Sequence, residues 1–229
     1  MRIREDVTMP ESLQDTLEFL RDLRAHNERQ WFEQYRPRYD LARAHFEAFV
    51  TDLIVSIGAV DDLTGVTARE CIFRINRDVR FSPDKSPYKT HMSAVIGKGG
   101  RKASGRAYYV HIEPGGRSMV AGGLHSPTAP ELDRVRRRIA DDAAKLKRVI
   151  NRRDFKRHFG SLQGDALKTA PLGYAKNHPD IELLRLKQYL AVHILSDEQV
   201  LAPDLTTHVV DVCRALKPFL TYLQSALDA

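Results

Sequence analysis

Leu13, Leu17, Leu20 and Leu23 recur at helical spacing behind Pro10, a residue suited to a first helical turn, and they predict an opening helix. Asn27, followed three residues later by Gln30, resembles a capping box. It predicts a short helix through Trp31, Phe32 and Tyr35 that stops at Pro37. The apolar positions Tyr39, Ala42, Phe46, Phe49, Val50, Leu53 and Ile57 then trace one face of a long helix, with Gly58 placed as its C-terminal cap. From Glu70 the period changes to two. Cys71, Phe73, Ile75, Val79 and Phe81 fall on one face, with Ile72, Arg74, Asn76, Asp78 and Arg80 on the other. The same alternation recurs at 92–96 and 108–112, and after Pro114-Gly115-Gly116 a return strand is predicted at 118–123, so the short connections imply an antiparallel meander.

Beyond Pro130 the helical period resumes at Leu132, Val135, Ile139, Ala143, Leu146 and Val149. A Pro/Gly/Asn loop at 170–179 leads to a helix from about residue 180 and then to a possible strand at 189–195. Ser196 with Gln199 forms a second capping-box pattern, and Asp204 is expected to cap a last helix through Val209, Val212, Leu216 and Leu220, with Pro218 as a candidate kink. The expected fold class is α+β, a central antiparallel β-meander flanked by N-terminal and C-terminal helices. One domain is expected over 1–229: helical at 10–58, strand-rich at 70–124, and helical again at 130–227.

Composition narrows the class. At 42% hydrophobic and 29% charged residues, the chain of 229 is neither disordered nor fibrous. Its two cysteines, Cys71 and Cys213, form no CxxC and sit in apolar runs, so a disulfide framework, a structural zinc site and a thiol nucleophile are all unexpected. The first eleven residues lack the apolar core of a signal peptide and no long apolar run occurs, so a cytoplasmic location and no membrane association are expected. The net charge of +6 is unevenly placed. Residues 69–106 hold 10 Lys and Arg against 3 Asp and Glu, and residues 131–157 hold 11 against 5. Local excess of this kind creates a field that gathers phosphate or polyanions.

Candidate chemistry follows from the strand register. One sheet face would carry Arg74, Asn76, Asp78, Arg80, His91, Ser93, Tyr109, His111 and Glu113. Arginine's planar fork suits phosphate or carboxylate, and histidine and tyrosine add hydrogen bonds or proton transfer. The same face also reads as solvated, with ordinary cross-strand ion pairs. Arg77 falls among the apolar positions, so it is expected to be partly buried and paired, either with a carboxylate from a packed helix or with a ligand. Residues 82–89 read as two successive turns that present Lys85, Tyr88 and Lys89, or as a plain surface connection. Gly97 to Lys102 is a hairpin tip that lacks the phosphate-loop pattern. Asp78, His91, His111 and Glu113 are the residue types of a two-histidine, one-carboxylate metal site, but their spacing and the neighbouring arginines speak against it, and no metal is expected.

The stretch from Arg74 to His91, with Ser82-Pro83-Asp84-Lys85-Ser86-Pro87-Tyr88-Lys89 inside it, is distinctive. Together with Tyr108 to Gly116, Gly173-Tyr174, His178-Pro179, Leu186-Lys187 and the segment Phe19 to Tyr39, it resembles an uncharacterised family catalogued as domain of unknown function 2461. The likeness spans nearly the whole chain. It implies kinship and transfers no catalytic role.

The leading expectation is therefore a site for a phosphate- or carboxylate-bearing small molecule. In it Arg74, Arg77 and Arg80 clamp the anion, Lys85 and Lys89 add charge, Tyr109 adds a hydrogen bond, and His91 or His111 orients the ligand or moves a proton. Two rivals stay open: a nucleic-acid-binding module using 69–106 and 131–157, and a non-catalytic interaction domain. The residues specify no cofactor, no reaction class and no oligomeric state.

Overall fold

The computed structural model describes residues 13–103 and 106–228. Helix α1 (Gln14–Ala25) buries Leu17, Phe19, Leu20 and Leu23 against α3 (Arg36–Gly58), whose buried face is Ala42, Phe46, Phe49, Val50, Leu53 and Ile57. Pro10 lies outside the described residues. Between these helices, α2 (Arg29–Gln34) begins from an extended Glu28 and takes no side-chain cap. Pro37 occupies the first turn of α3, where its missing N–H has no intrahelical acceptor to lose, so the proline opens the next helix. Asn27 is drawn away from capping by a distant partner: its amide donates to the Tyr88 carbonyl at 2.9 Å and accepts from the Tyr88 N–H at 3.1 Å.

The sheet has four strands in the order β1 (Met92–Ile96), β2 (Tyr108–Ile112), β3 (Ser118–Leu124) and β4 (Tyr189–Leu195), all pairs antiparallel. Met92, Ala94, Ile96, Tyr108, Val110 and Ile112 face the core, and Ser93, Val95, Tyr109 and His111 lie on the opposite face.

The strand expected across 71–81 does not form. Cys71 instead ends α4 (Ala68–Cys71), which is capped by Thr67 and Glu70, and the chain then leaves the sheet edge after one bridge between Ile72 and Ala94. Residues 75–89 fold back on themselves through the Asn76–Tyr88 bridge and the bonds Arg77 N–H to Pro87 O and Lys89 N–H to Ile75 O. Burial does alternate here, with Ile75, Arg77 and Val79 more covered than Arg74, Asn76, Asp78 and Arg80, but the ladder ends within a few residues. Phe81, expected on the apolar face, is 94% exposed. The period of two reported side-chain direction only between Arg74 and Arg80, since Ile72, expected on the polar face, is buried; Pro83 and Pro87 lie within the return of this excursion and supply no N–H to a strand ladder.

The basic helix expected beyond 130 is three helices: α5 (Ala129–Asp141), α6 (Ala144–Ile150) and α7 (Arg153–Phe159). Asp142, between α5 and α6, accepts from the Ala144 N–H at 2.9 Å, and Asp154, in the first turn of α7, accepts from the Phe155 N–H at 2.9 Å. Such local bonds compete with helix continuation. After α8 (Ile181–Leu184) comes β4, then α9 (Asp197–Leu201) behind its Ser196–Gln199 capping box. The last helix, α10 (Leu205–Leu227), continues through Pro218, and Asp204, expected to cap it, precedes it without a side-chain cap bond. Helix α10 packs on α3 and on β3, and at Gly122 the fit is tight, because a Cβ there would stand 2.7 Å from Leu216 Cδ2. The buried residues of these helices and of the sheet's inner face join in one core cluster. Among the described residues, no helix is long and apolar enough to cross a membrane.

Candidate functional site

The 75–89 excursion docks on the N-terminal helices. Tyr88 stacks on Phe32 with ring centres 4.0 Å apart, and Asn27 clamps the Tyr88 backbone at both its N–H and its carbonyl. Between the docked excursion and the end of α1 lies a cleft of about 350 Å³, lined by Arg24, Asn27, Arg77, Asp84, Ser86, Tyr88, Lys89, Thr90 and His91. Of the expected site residues, Arg77, Lys89 and His91 reach it. Arg24, Asn27 and Thr90 join them; they lie in the segments 19–39 and 74–91 that carry the family resemblance but were not among the expected site residues.

Arg77 is partly buried and paired, but its partners come from its own loop and not from a packed helix. It binds the Asp84 carboxylate, the Ser86 carbonyl at 3.2 Å and the Ser82 hydroxyl at 3.3 Å. Asp84 accepts from the Ser86 hydroxyl at 2.6 Å and the Ser86 N–H at 2.9 Å, and these bonds, with Arg77, hold its carboxyl down at about 2. Lys89 donates to the Arg74 carbonyl at 2.8 Å and lies over the Phe73 ring. Burial, then Arg74, lowers its ammonium below the ordinary lysine range.

The other expected residues stand elsewhere. Arg80 is exposed and pairs with Asp78, and Lys85 donates to the Val79 carbonyl at 3.0 Å. Arg74 is exposed and does not line the cleft. No sheet face therefore gathers the three arginines.

Behind Thr90 and His91 runs a hydrogen-bonded chain on the outer face of the sheet. His111, 6% exposed, meets Tyr109 Oη at Nδ1 (3.0 Å) and Glu113 Oε2 at Nε2 (2.9 Å). A carboxylate can only accept, so Nε2 carries the proton and Nδ1 accepts from the phenol. Glu113 Oε1 is held by Arg24 at 2.9 Å, Arg117 at 3.0 Å and Thr90 at 3.4 Å. Its backbone is fixed by Ser118 and by the following turn, where Gly115 and Gly116 take positive φ and give their N–H groups to Asp197. His91 stacks on His111 with centres 4.2 Å apart. Burial, then His111 and Lys89, pushes His91 down to about 4, so it is neutral at pH 7. Burial also lowers His111, against the opposing pull of Glu113. His91, His111 and Glu113 each bring one ligand atom within 4.8 Å of the others, whereas Asp78, the fourth residue of the metal set weighed from sequence, is turned to Arg80.

A larger cleft, about 780 Å³, opens beside Val55, Asp61, Arg106 and Lys217. Its buried carboxylate, Asp61, is already matched by the Tyr108 hydroxyl at 2.8 Å, Arg106 at 3.1 Å and Lys217 at 3.9 Å. Arg106 also donates to the Thr221 hydroxyl at 3.3 Å, and Lys217 to the Val60 carbonyl. At the Gly97–Lys102 tip, Lys98 pairs with Asp62, and Arg101 donates to the carbonyls of Arg69 and Ile72.

Residues 15–222 match the family model described as "Conserved hypothetical protein (DUF2461)". The chain belongs to that family. The match covers both the 75–89 excursion and Arg24, so the cleft lies wholly within the family's domain of homology. No curated protein and no solved structure matches the chain.

Proposed function

We propose that the cleft binds a small molecule bearing a phosphate or carboxylate group. The observation that carries this reading is the meeting of Arg24, Arg77 and Lys89 with the Thr90 hydroxyl and the His91 ring around one concave space, although they come from separate parts of the fold. Three cations and the neutral His91 ring supply direction as well as charge. Arg77 and Arg24 already hold carboxylates, but the Asp84 side chain is 60% exposed, and surface pairs of this kind are worth roughly 0–1 kcal/mol. Exchanging that carboxylate for a ligand oxygen therefore costs little. Among the described residues, no side chain hydrogen-bonds the His91 ring nitrogens, which leaves them for a ligand.

The test is thermal stability in inorganic phosphate, sugar phosphates and dicarboxylates against chloride at matched ionic strength. A ligand at 100 times its dissociation constant adds about 2.7 kcal/mol. The response should fall in Arg24→Ala and Arg77→Ala and persist in Arg80→Ala. A flat panel, or a response undiminished in both cleft variants, would sink the reading.

A further inference from the structure

We infer that His91, His111 and Glu113 form a binding site for a divalent first-row transition ion beside the anion cleft. The inference extends the anion reading, on which it rests only for the ligand that completes the ion's shell; the protein donors stand without it.

Two of the three donors already stand at the spacing an ion requires, and the third, on the stacked His91 ring, has only to close in. Donors in adjacent positions around an ion at about 2.1 Å lie roughly 3 Å apart. His111 Nε2 and Glu113 Oε2 are 2.9 Å apart, and one His91 nitrogen is within 4.8 Å of both. Two imidazoles and one carboxylate are a donor set suited to iron, cobalt, nickel or zinc, with positions left over for an outside ligand.

The surroundings are those of a held ligand set. Metal-binding histidines commonly fix their other nitrogen on a polar group, and Tyr109 Oη stands 3.0 Å from His111 Nδ1. In the free protein the His111 proton sits on Nε2 and points at Glu113. On binding it moves to Nδ1 and is donated to Tyr109 Oη, so the ring exchanges one tautomer for the other and loses no proton. Glu113 is aimed in the same way: Arg24, Arg117 and Thr90 all hold Oε1 and leave Oε2 facing His111. The Glu113 backbone and the 114–117 turn are pinned by Ser118 and Asp197, so the carboxylate does not depend on a loose loop. The arginines that argued against a metal from sequence, Arg74 and Arg80, do not contact this trio. Arg24 and Arg117 do add positive charge at Oε1, so an anion in the cleft should favour the ion.

The experiment is calorimetric titration of chelator-treated protein with Co²⁺, in chloride and in sulfate buffers of equal ionic strength, with visible absorption recorded alongside. One ion per chain is expected. Affinity should fall more than about 100-fold in His91→Ala and in Glu113→Gln and hold in Arg80→Ala. Should either variant fail to fold, the cobalt-loaded wild type still decides the matter by proton NMR. Strongly shifted imidazole N–H signals from two histidines support the site, and their absence overturns it. No binding in either buffer overturns the inference. So does a wild-type isotherm in both ligand variants together with loss in His193→Ala, which would put the ion at the separate His158, His193 and His208 cluster. Inorganic phosphate added to the metal-free protein separates the two readings. Stabilisation by phosphate without cobalt binding leaves the cleft and removes the metal, and cobalt binding without a phosphate response does the reverse.

Discussion

The two basic stretches carry nearly the same excess charge, yet the fold uses them differently. In 131–157 many cations are consumed as internal donors. Arg136 donates to the Leu184 and Leu186 carbonyls at 2.8 and 3.1 Å, Arg134 to the Leu227 carbonyl at 2.6 Å, and Lys147 pairs with Asp180. The arginine contacts satisfy carbonyls at and beyond the C-terminal ends of α8 and α10, where helices leave acceptors without partners. In 69–106 some cations do the same, Arg101 among them, but Arg77 and Lys89 border a cleft that also receives Arg24 from α1. Net charge along a sequence counts cations. It does not tell those that close the protein's own hydrogen bonds from those that stand at a concave surface.

The sharpest way to break this comparison is Arg136→Ala. It strips two half-buried carbonyls of a charged donor and should cost about 2–3 kcal/mol in urea unfolding, with any anion response kept. A neutral result would remove the structural role assigned to the second stretch. Arg77→Ala should cost less, about 1 kcal/mol, because the partner carboxylate is mostly exposed, yet it should weaken the anion response. A large loss of stability would mean that Arg77 is chiefly structural.

A smaller effect should appear with pH at the end of the second stretch. His193 donates its Nδ1–H to the His158 carbonyl at 2.9 Å and meets His208 Nε2 at 2.9 Å. Burial lowers both His158 and His193. Arg157 and the neighbouring histidines lower His158 further, with Asp211 opposing, and at His193 the His158 carbonyl opposes. A base whose folded pKa is depressed binds its proton more readily when unfolded, so its contribution is complete above about pH 6.5 and is lost as pH falls below that value. Unfolding free energy should drop from pH 7.5 to 5.5, and because His91 and His111 add to the drop by the same linkage, His193→Gln should reduce it without abolishing it. Smallest of all, Arg137→Gln breaks an exposed pair with Asp133 and should change stability by less than about 0.5 kcal/mol.

Much of the fold was legible because its signals are local. The helical faces of α1, α3 and α10, the strands at 92–96, 108–112 and 118–124, the strand at 189–195 and the Ser196 cap each follow from spacing within a few residues. Where the reading failed, a non-local bond won. Asn27 has the composition of a cap but is claimed by Tyr88, sixty-one residues away. The 71–81 segment alternates like a strand but finds its partner in its own return. The cleft was half visible: Arg77, Lys89 and His91 belong to the distinctive 74–91 stretch, whereas nothing in α1 marks Arg24 as their neighbour, because that neighbourhood exists only once Tyr88 docks on Phe32. Arg74 and Arg80 were grouped with them by an expected strand register and Lys85 by the two turns of 82–89, and the short excursion turns them outward.

The central claim, an anion held in this cleft, is tested most directly by titrating nitrogen-15-labelled protein with inorganic phosphate at constant ionic strength and mapping the amide shifts. Saturable changes centred on Asn27, Arg77, Lys89, Thr90 and His91, and reduced in Arg77→Ala, are the predicted result. Changes that map to 131–157, or a spectrum that phosphate leaves unmoved, would contradict the account.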